Sequence, residues 1–346
     1  MRAPGESKSR PFTPRLGTVL RWGFGLCVVA ALLLFFDPRT VASNLSETDW
    51  RLAVPAILGL SLVHLLGVAA WVFLSAQLSG AALSWRYAAR SYYAAQVLGS
   101  VTPGNIGADA YRIHSTAQGS CGLEGAVVPV AGQRITSYLA LLAIGASASF
   151  LVPLPHGFAL TMAIVAGALI ALLGLGWGVL RLVPEARQRA AHLTRRTGLV
   201  DLWAKTPRGR LLKGLSGGFV LAVLFHGTSL LLTYVLVLSV SGRSDLFPTL
   251  AALAMARLSM LLPFSVNGLG FQEGALTILL PQVGVASEAA LAVSALNRLG
   301  LLVTIGFGTA ALAMGKSVSG GKREAFRLDG CARGRRATRG RAPQRP

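Results

Sequence analysis

The sequence PFSVNGLGFQEG, residues 263–274, is the point where an apolar segment stops, breaks into glycines and ends on Gln272 and Glu273 before apolar sequence resumes. In hydrocarbon, irregular backbone with polar side chains is tolerated only where protein buries it or where it lines a water-filled cavity. We therefore predict that this segment lies at the functional site. An earlier stretch, PGNIGADAYR at residues 103–112, has the same character.

The composition indicates a multi-pass membrane protein. Of 346 residues, 53% are apolar and 13% are charged, and the mean hydropathy is +0.58. These values exclude a soluble domain of ordinary size. The 33 Lys and Arg residues outnumber the 13 Asp and Glu residues, but most of them lie between or after the apolar spans. This placement is typical of cytoplasmic membrane loops and disfavours nucleic-acid binding.

The cysteines do not predict a disulfide framework or a zinc site. Cys27, Cys121 and Cys331 are far apart, with no C-x-x-C pair and no neighbouring histidine ligand. We therefore expect no metal and no cofactor.

Hydropathy predicts an all-α integral membrane protein with six spanning helices and two re-entrant broken hairpins. The predicted spans are residues 17–36, 53–78, 125–152, 158–180, 214–240 and 289–314. A cleaved signal peptide is the alternative for the first span, with a cleavage site at residues 41–43. The apolar run is longer than the usual ~7–15 residues, which favours a retained anchor.

The basic segments set the predicted topology. Residues 181–213 hold nine Lys or Arg, and the tail from Lys316 holds ten, so both are predicted to be cytoplasmic. Counting spans from them places residues 83–122 as a hairpin that enters from the cytoplasmic side, and residues 247–282 as one that enters from outside. Both termini are then cytoplasmic. The Arg, Ala and Gly richness suggests a bacterial source, and hence the inner membrane.

The two halves of the chain are predicted to form an inverted repeat of span, span, hairpin and span. Asp109 precedes Arg134 by 25 residues, as Glu273 precedes Arg298. The predicted organisation has five parts: residues 1–15, a disordered basic N-terminus; 16–182, the first membrane half with part of the second; 183–213, a basic cytoplasmic loop; 214–315, the rest of the second half; and 316–346, a disordered basic cytoplasmic tail.

The intramembrane charges predict a receptor for an anionic group. A buried arginine is costly in a bilayer, so Arg134 and Arg298 are expected near the midplane facing counter-charges or a wet cavity. Glycine turns and half-helix N-termini add donors for phosphate or carboxylate. The alternative is that the Asp–Arg and Glu–Arg pairs are structural salt bridges. The predicted binding residues are Arg134, Arg298, Asp109, Glu273, Asn105, Asn267, Gly104, Gly107, Gly268, Gly270, Gln272 and Arg112.

One histidine lies inside the second span of each half, at His64 and His226. They are candidates for a proton relay, and the alternative is that both are satisfied core residues. We predict no catalytic residue, because no Ser/His/Asp or Cys/His arrangement is visible and GLGFQEG lacks the strand-to-helix context of a nucleotide fold.

The segments LPFSVNGLGFQEGAL and TPGNIGADAYR, with Gln133–Arg134, resemble the lysylphosphatidylglycerol synthase transmembrane-region family of flippase-like membrane proteins. The resemblance covers about residues 17–314 and implies a multi-pass inner-membrane protein that translocates aminoacylated phospholipids, glycolipids or hopanoid-related lipids. The chain departs from the family pattern at Gln272, where Arg is common, and at Ala108, where Gly is common. Full-length synthases have a soluble catalytic domain after the membrane part, and only about 32 residues follow Met314 here. We therefore expect no aminoacyl transfer.

The leading hypothesis is a translocator of an anionic or phosphate-bearing lipid, with membrane lipids as its partners. Any protein partner or oligomer is left open. A non-transporting scaffold for a lipid-modifying enzyme is one alternative. The other is a membrane-embedded transferase with Asp109 or Glu273 as its base.

Overall fold

The part of the chain that the structure describes is almost entirely helical. The structure is a computed structural model, and it describes residues 38–102, 104–117, 122–151, 206–259, 268–316 and 326–327. In chain order the elements are α1 (Pro38–Ser46), α2 (Trp50–Leu62), α3 (His64–Leu74), a π-helical turn (Ser75–Ser79), β1 (Ala82–Leu83), α4 (Trp85–Ser100), α5 (Ile106–Ala117), α6 (Gly122–Leu151), α7 (Arg208–Ser241), α8 (Leu246–Ser259), α9 (Phe271–Leu279), a 3-10 turn (Pro281–Val283), α10 (Ser287–Lys316) and β2 (Phe326–Arg327).

Four helical segments of the described chain are long and apolar enough to cross a membrane, which confirms the predicted all-α membrane class. The first combines α2, α3 and the π-helical turn, and the others lie in α6, α7 and α10. Two further predicted spans, residues 17–36 and 158–180, lie outside the described residues, so the number of six stays a prediction. The four segments are Trp50–Ser79, Gly125–Gly145, Arg208–Ser241 and Ser287–Met314.

Two pairs of short helices lie where the sequence predicts hairpins. The first pair is α4 and α5, with 16 and 12 residues, and the second is α8 and α9, with 14 and 9 residues. Each helix is shorter than the ~20 residues that a single crossing needs. Left-handed backbone lies between the helices of each pair, at Gly104 and Asn105 in the first and at Gly268 and Gly270 in the second.

The bundle exposes many large apolar side chains and buries a number of polar ones, unlike a typical water-soluble protein. On α7, His226, Ser229 and Thr233 are buried, whereas Leu224 and Leu231 are 50% and 49% exposed. In a bilayer, an exposed leucine contacts lipid chains that are equally apolar, and buried hydroxyls form hydrogen bonds with neighbouring backbone or side chains. The polar face of α7 is therefore directed into the protein.

The packing brings the hairpins to the centre of the bundle. Helix α4 packs on α10, α8 packs on α6, and α7 contacts α2, α3 and α6. The largest buried apolar cluster joins α2, α7, α8, α9 and α10, with Met255, Leu258 and Leu276 among its fully buried side chains. Strand β1 pairs antiparallel with β2 from the C-terminal tail.

Candidate functional site

A cavity of about 330 Å³ lies between the hairpins and the long helices. Its size falls in the range of small-ligand sites. Four arginines line it: Arg112, Arg134, Arg257 and Arg298. The predicted binding and relay residues that also line it are Gly104, Asn105, Gly268, Gln272, His64 and His226.

In the first half, Asp109 lies between two arginines. One of its carboxylate oxygens accepts a hydrogen bond from Nη2 of Arg112, three residues later on α5. The other accepts the Nε–H of Arg134 on α6 at 2.7 Å. The spacing of 25 residues predicted the Asp109–Arg134 pair, but not that Arg112 shares the same carboxylate.

Arg112 binds groups from several helices besides Asp109. Its Nη1 donates to Oε1 of Gln133 at 2.7 Å, and the Gln133 amide donates in turn to the carbonyl of Gly67 at 2.9 Å. The guanidinium also lies 5.1 Å from the ring centre of Tyr92 and 5.6 Å from that of Trp71, within the range of cation–π contact. Arg112 therefore joins α5 to α3, α4 and α6.

Arg134 binds the turn of the first hairpin. Its Nη2 donates to the carbonyls of Gly104 and Asn105, both at 3.2 Å. A turn within a membrane needs partners for its free carbonyls, because lipid offers none. The side chain of Arg134 is still 28% exposed, so it faces the cavity while it binds the turn.

In the second half, Glu273 joins its own turn to the last long helix. One oxygen accepts the Nε–H of Arg298 on α10 at 2.6 Å. The other accepts the backbone N–H of Gly270 at 2.7 Å, three residues earlier at the start of α9. This contact is the half of a capping box in which the carboxylate of the third helical residue accepts the N–H of the N-cap residue.

Arg257 is the cavity arginine that sequence reasoning missed. It lies near the C-terminal end of α8, and its Nη1 donates to the hydroxyl of Ser229 on α7 at 2.5 Å. Within the described residues, it has no carboxylate within 4.0 Å, unlike Arg112, Arg134 and Arg298. A lone arginine in the apolar segment LFPTLAALAMARLS could have been recognised by the same cost of burial that marked Arg134.

The two histidines are neighbours in the cavity but are separated by an aromatic ring. The Phe225 ring lies 5.7 Å from His64 and 5.1 Å from His226, centre to centre. Nε2 of His226 hydrogen-bonds the hydroxyl of Ser137 at 2.8 Å. In the described part of the chain no hydrogen bond links the two histidines, so the proton relay stays a prediction.

Four predicted binding residues are described but do not line the cavity. Asp109 and Glu273 lie behind the arginines that they bind. The N–H of Gly107 donates to the Thr102 hydroxyl at 2.8 Å, and the N–H of Gly270 to Glu273. Both glycines therefore use their N–H groups within the protein. The fifth, Asn267, lies outside the described residues.

The charges of this region favour an anion. Four arginines face two carboxylates, Asp109 and Glu273, within the described residues. A cavity with excess positive charge inside an apolar bundle is stabilised when an anionic group enters it.

Residues 22–308 match the family model described as the lysylphosphatidylglycerol synthase TM region. The chain belongs to this family. The match covers all four membrane-spanning segments up to the last turns of α10, together with both hairpins. Neither a comparison with curated proteins nor one with solved structures gives a match. Family membership and the apolar helices make the chain a multi-pass membrane protein.

Proposed function

We propose that this member of the lysylphosphatidylglycerol synthase TM family translocates an anionic or phosphate-bearing lipid, such as an aminoacyl-phospholipid, a glycolipid or a hopanoid-related lipid. The observation that carries the proposal is the cavity within the bundle, with four arginines against two carboxylates. An uncompensated guanidinium is costly inside a membrane. The cavity therefore favours a ligand that brings negative charge to it.

Two of the ion pairs give the proposal a mechanism. Arg134 binds both Asp109 and the turn carbonyls at Gly104 and Asn105, and a phosphate oxygen in the cavity competes for the same N–H groups. Arginine offers five donors and binds phosphate in a bidentate manner. Headgroup binding would therefore weaken the hold of Arg134 on the first hairpin. When the headgroup leaves, Arg134 would bind the turn carbonyls again.

The ion pair of the second half supports the same mechanism. Glu273 links Arg298 to the Gly270 turn, so a headgroup that attracts Arg298 also changes the contacts of the second hairpin. Two hairpins that respond to one ligand fit a carrier whose cavity opens to each leaflet in turn.

The proposed topology has six spans arranged as an inverted repeat, in the bacterial inner membrane with both termini cytoplasmic. Matched contacts support the repeat. The first helix of each hairpin packs on the long helix of the other half, α4 on α10 and α8 on α6. In each half the hairpin carboxylate binds the Nε–H of an arginine 25 residues later.

We propose no enzymatic step for the cavity. A membrane-embedded transferase would use Asp109 or Glu273 as its base. The oxygens of Asp109 are occupied by Arg112 and Arg134, and those of Glu273 by Arg298 and a backbone N–H. These contacts favour a positioning role for both carboxylates.

The test is lipid scrambling in vesicles that contain the purified protein. A fluorescent phosphatidylglycerol is placed in both leaflets, and a membrane-impermeant reductant quenches the outer leaflet. Translocation brings the inner-leaflet probe within reach of the reductant. We expect wild-type vesicles to lose nearly all fluorescence and vesicles without protein to keep the inner half.

The variant R134Q/R298Q should slow this loss by about 10-fold or more, since each arginine offers a charge-assisted hydrogen bond. R243Q, at an exposed position outside the cavity, is the matched control and should behave as wild type. Equal rates for R134Q/R298Q and wild type would contradict the proposed site. If wild-type protein scrambles nothing and copurifies with a lipid-modifying enzyme, the scaffold alternative replaces the proposal.

A further inference from the structure

Arg257 differs from the other cavity arginines in what it binds. Arg112 and Arg134 share Asp109, and Arg298 binds Glu273. Within the described residues, Arg257 donates to one neutral acceptor, the hydroxyl of Ser229. Guanidinium has five N–H donors, and among the described residues the Ser229 hydroxyl accepts one of them, so Arg257 can also donate to a ligand in the cavity.

Two amide side chains accompany Arg257. Gln272 from the second hairpin and Asn297 from α10 line the main cavity, and both also line a second void of about 10 Å³ that Arg257 shares. That void is about the size of one water molecule. The three side chains, from α8, α9 and α10, therefore surround the same void beside the cavity.

The chemistry of this group suits a phosphoryl oxygen. A guanidinium supplies charge and paired donors, and each amide NH₂ supplies two further donors. The remaining lining of the second void is largely apolar, with Leu230, Leu253 and Leu276 beside Thr233. Low local polarity strengthens a charge-assisted hydrogen bond.

Arg257 also differs from Arg134 and Arg298 in how strongly carboxylates of the protein compete with a ligand for its guanidinium. A ligand at Arg134 or Arg298 must share the guanidinium with a carboxylate that already holds its Nε–H at 2.7 or 2.6 Å. A ligand at Arg257 displaces no carboxylate among the described residues. Among the described residues, Arg257 is consequently the cavity arginine that meets the least competition from carboxylates for an incoming anion.

We propose that Arg257, with Gln272 and Asn297, is the principal subsite for the phosphoryl group of the ligand, and that Arg134 and Arg298 couple the bound headgroup to the two hairpins. This inference rests on the proposed function and names the part of the cavity that recognises the headgroup. Phosphate of a lipid and free inorganic phosphate share this chemistry, and the experiment separates them.

The experiment measures equilibrium binding to the full-length protein in a neutral detergent by calorimetry. The probes are dioctanoyl phosphatidylglycerol, dioctanoylglycerol as its phosphate-free counterpart, and sodium phosphate as a competitor. We expect R257Q to weaken phosphatidylglycerol binding about 10- to 100-fold, the range for hydrogen bonds to charged groups. Binding of dioctanoylglycerol should not depend on Arg257.

Two variants keep the result interpretable. R243Q removes the same charge from an exposed position and should bind as wild type. R257K keeps the charge but loses the paired donors, so its affinity should lie between those of wild type and R257Q. If R257Q does not fold, R257K decides. Wild-type affinity in either variant overturns the subsite.

The competitor identifies the source of the phosphoryl group. If phosphate displaces the lipid from wild type but not from R257K, the subsite accepts the group from either source. If phosphate does not compete and lipid binding still depends on Arg257, the subsite belongs to a lipid headgroup.

Arg257-dependent binding without scrambling in vesicles would refute the proposed transport and keep the subsite. Scrambling that is unchanged in R257Q, together with unchanged binding, would refute the subsite and keep transport.

Discussion

Glu273 accepts the Nε–H of Arg298 at 2.6 Å and, with its other oxygen, the backbone N–H of Gly270 at 2.7 Å. The carboxylate is only 7% exposed. A single buried side chain thus connects the turn of the second hairpin to α10. Its loss removes the counter-charge of Arg298 and the side-chain cap of α9.

The variant E273Q tests this connection. The amide keeps the size of the side chain but leaves Arg298 without its counter-charge and places a donor beside the N–H of Gly270. Leaving a buried donor unsatisfied costs about 1–3 kcal/mol, and a charged donor costs more. We expect a clear fall in the thermal unfolding temperature of the protein in detergent, as measured by intrinsic fluorescence.

E47Q is the matched control, because Glu47 is exposed on the protein surface and should tolerate the same change. The double variant E273Q/R298Q should lose less stability than the sum of the single variants, since the two residues interact directly. Additive losses would show that the pair contributes no interaction energy.

The spacing of charges was sufficient to predict both ion pairs. Asp109 with Arg134, and Glu273 with Arg298, are separated by 25 residues along two similar helix-turn-helix segments. An arginine buried in an apolar span needs a counter-charge, because an unpaired charge in the membrane is energetically costly. The two pairs could therefore be predicted from the positions of the charged residues in the sequence. The all-α class and the positions of the two pairs of short helices followed from hydropathy in the same way.

The position of Arg257 in the cavity could not be read from the same pattern. It has no acidic residue at the matching distance, and it reaches the cavity only because α8 packs on α6 and α7. The role of Arg112 was incomplete for the same reason: Gln133, Trp71 and Tyr92 come from three other helices. Contacts between distant helices depend on packing, which hydropathy does not determine.

Arg112 and Arg134 share Asp109 but are expected to respond differently to truncation. The Arg112 side chain is 6% exposed and also binds Gln133 and two aromatic rings, whereas that of Arg134 is 28% exposed. R112M should therefore lower the free energy of unfolding by about 2 kcal/mol or more, the sum expected for a charged hydrogen bond and a cation–π contact. R134M should cost less stability and reduce scrambling more.

Thermal unfolding and the vesicle assay, applied to the same preparations, separate the two effects. Methionine retains most of the apolar length of arginine, so the comparison removes the charged group with little change in packing. If R134M destabilised the protein as much as R112M, the distinction between a structural and a cavity-facing arginine would be wrong.

Two glycines on α10 provide a matched test of the contact between α4 and α10. A Cβ at Gly308 would lie 2.3 Å from the carbonyl oxygen of Tyr93, whereas a Cβ at Gly306 would meet no atom within 4 Å. G308A must therefore push the two helices apart, at a cost of about 1–3 kcal/mol. G306A should not destabilise the protein. Equal unfolding temperatures for the two variants in detergent would mean that α4 does not approach α10 this closely.

The proposed topology makes the two ends of α7 reachable from opposite sides of the membrane. This helix has 34 residues, about 51 Å at the helical rise, which is longer than the hydrocarbon core. Arg208 and Arg243 lie at its two ends and are both exposed.

With Cys27, Cys121 and Cys331 replaced by serine, R243C should react with a membrane-impermeant maleimide in intact cells. R208C should react only after the membrane is permeabilised, because the basic segment before α7 is placed in the cytoplasm. Full labelling of R208C in intact cells, with R243C protected, would reverse the orientation of α7. The second hairpin would then enter from the cytoplasmic side.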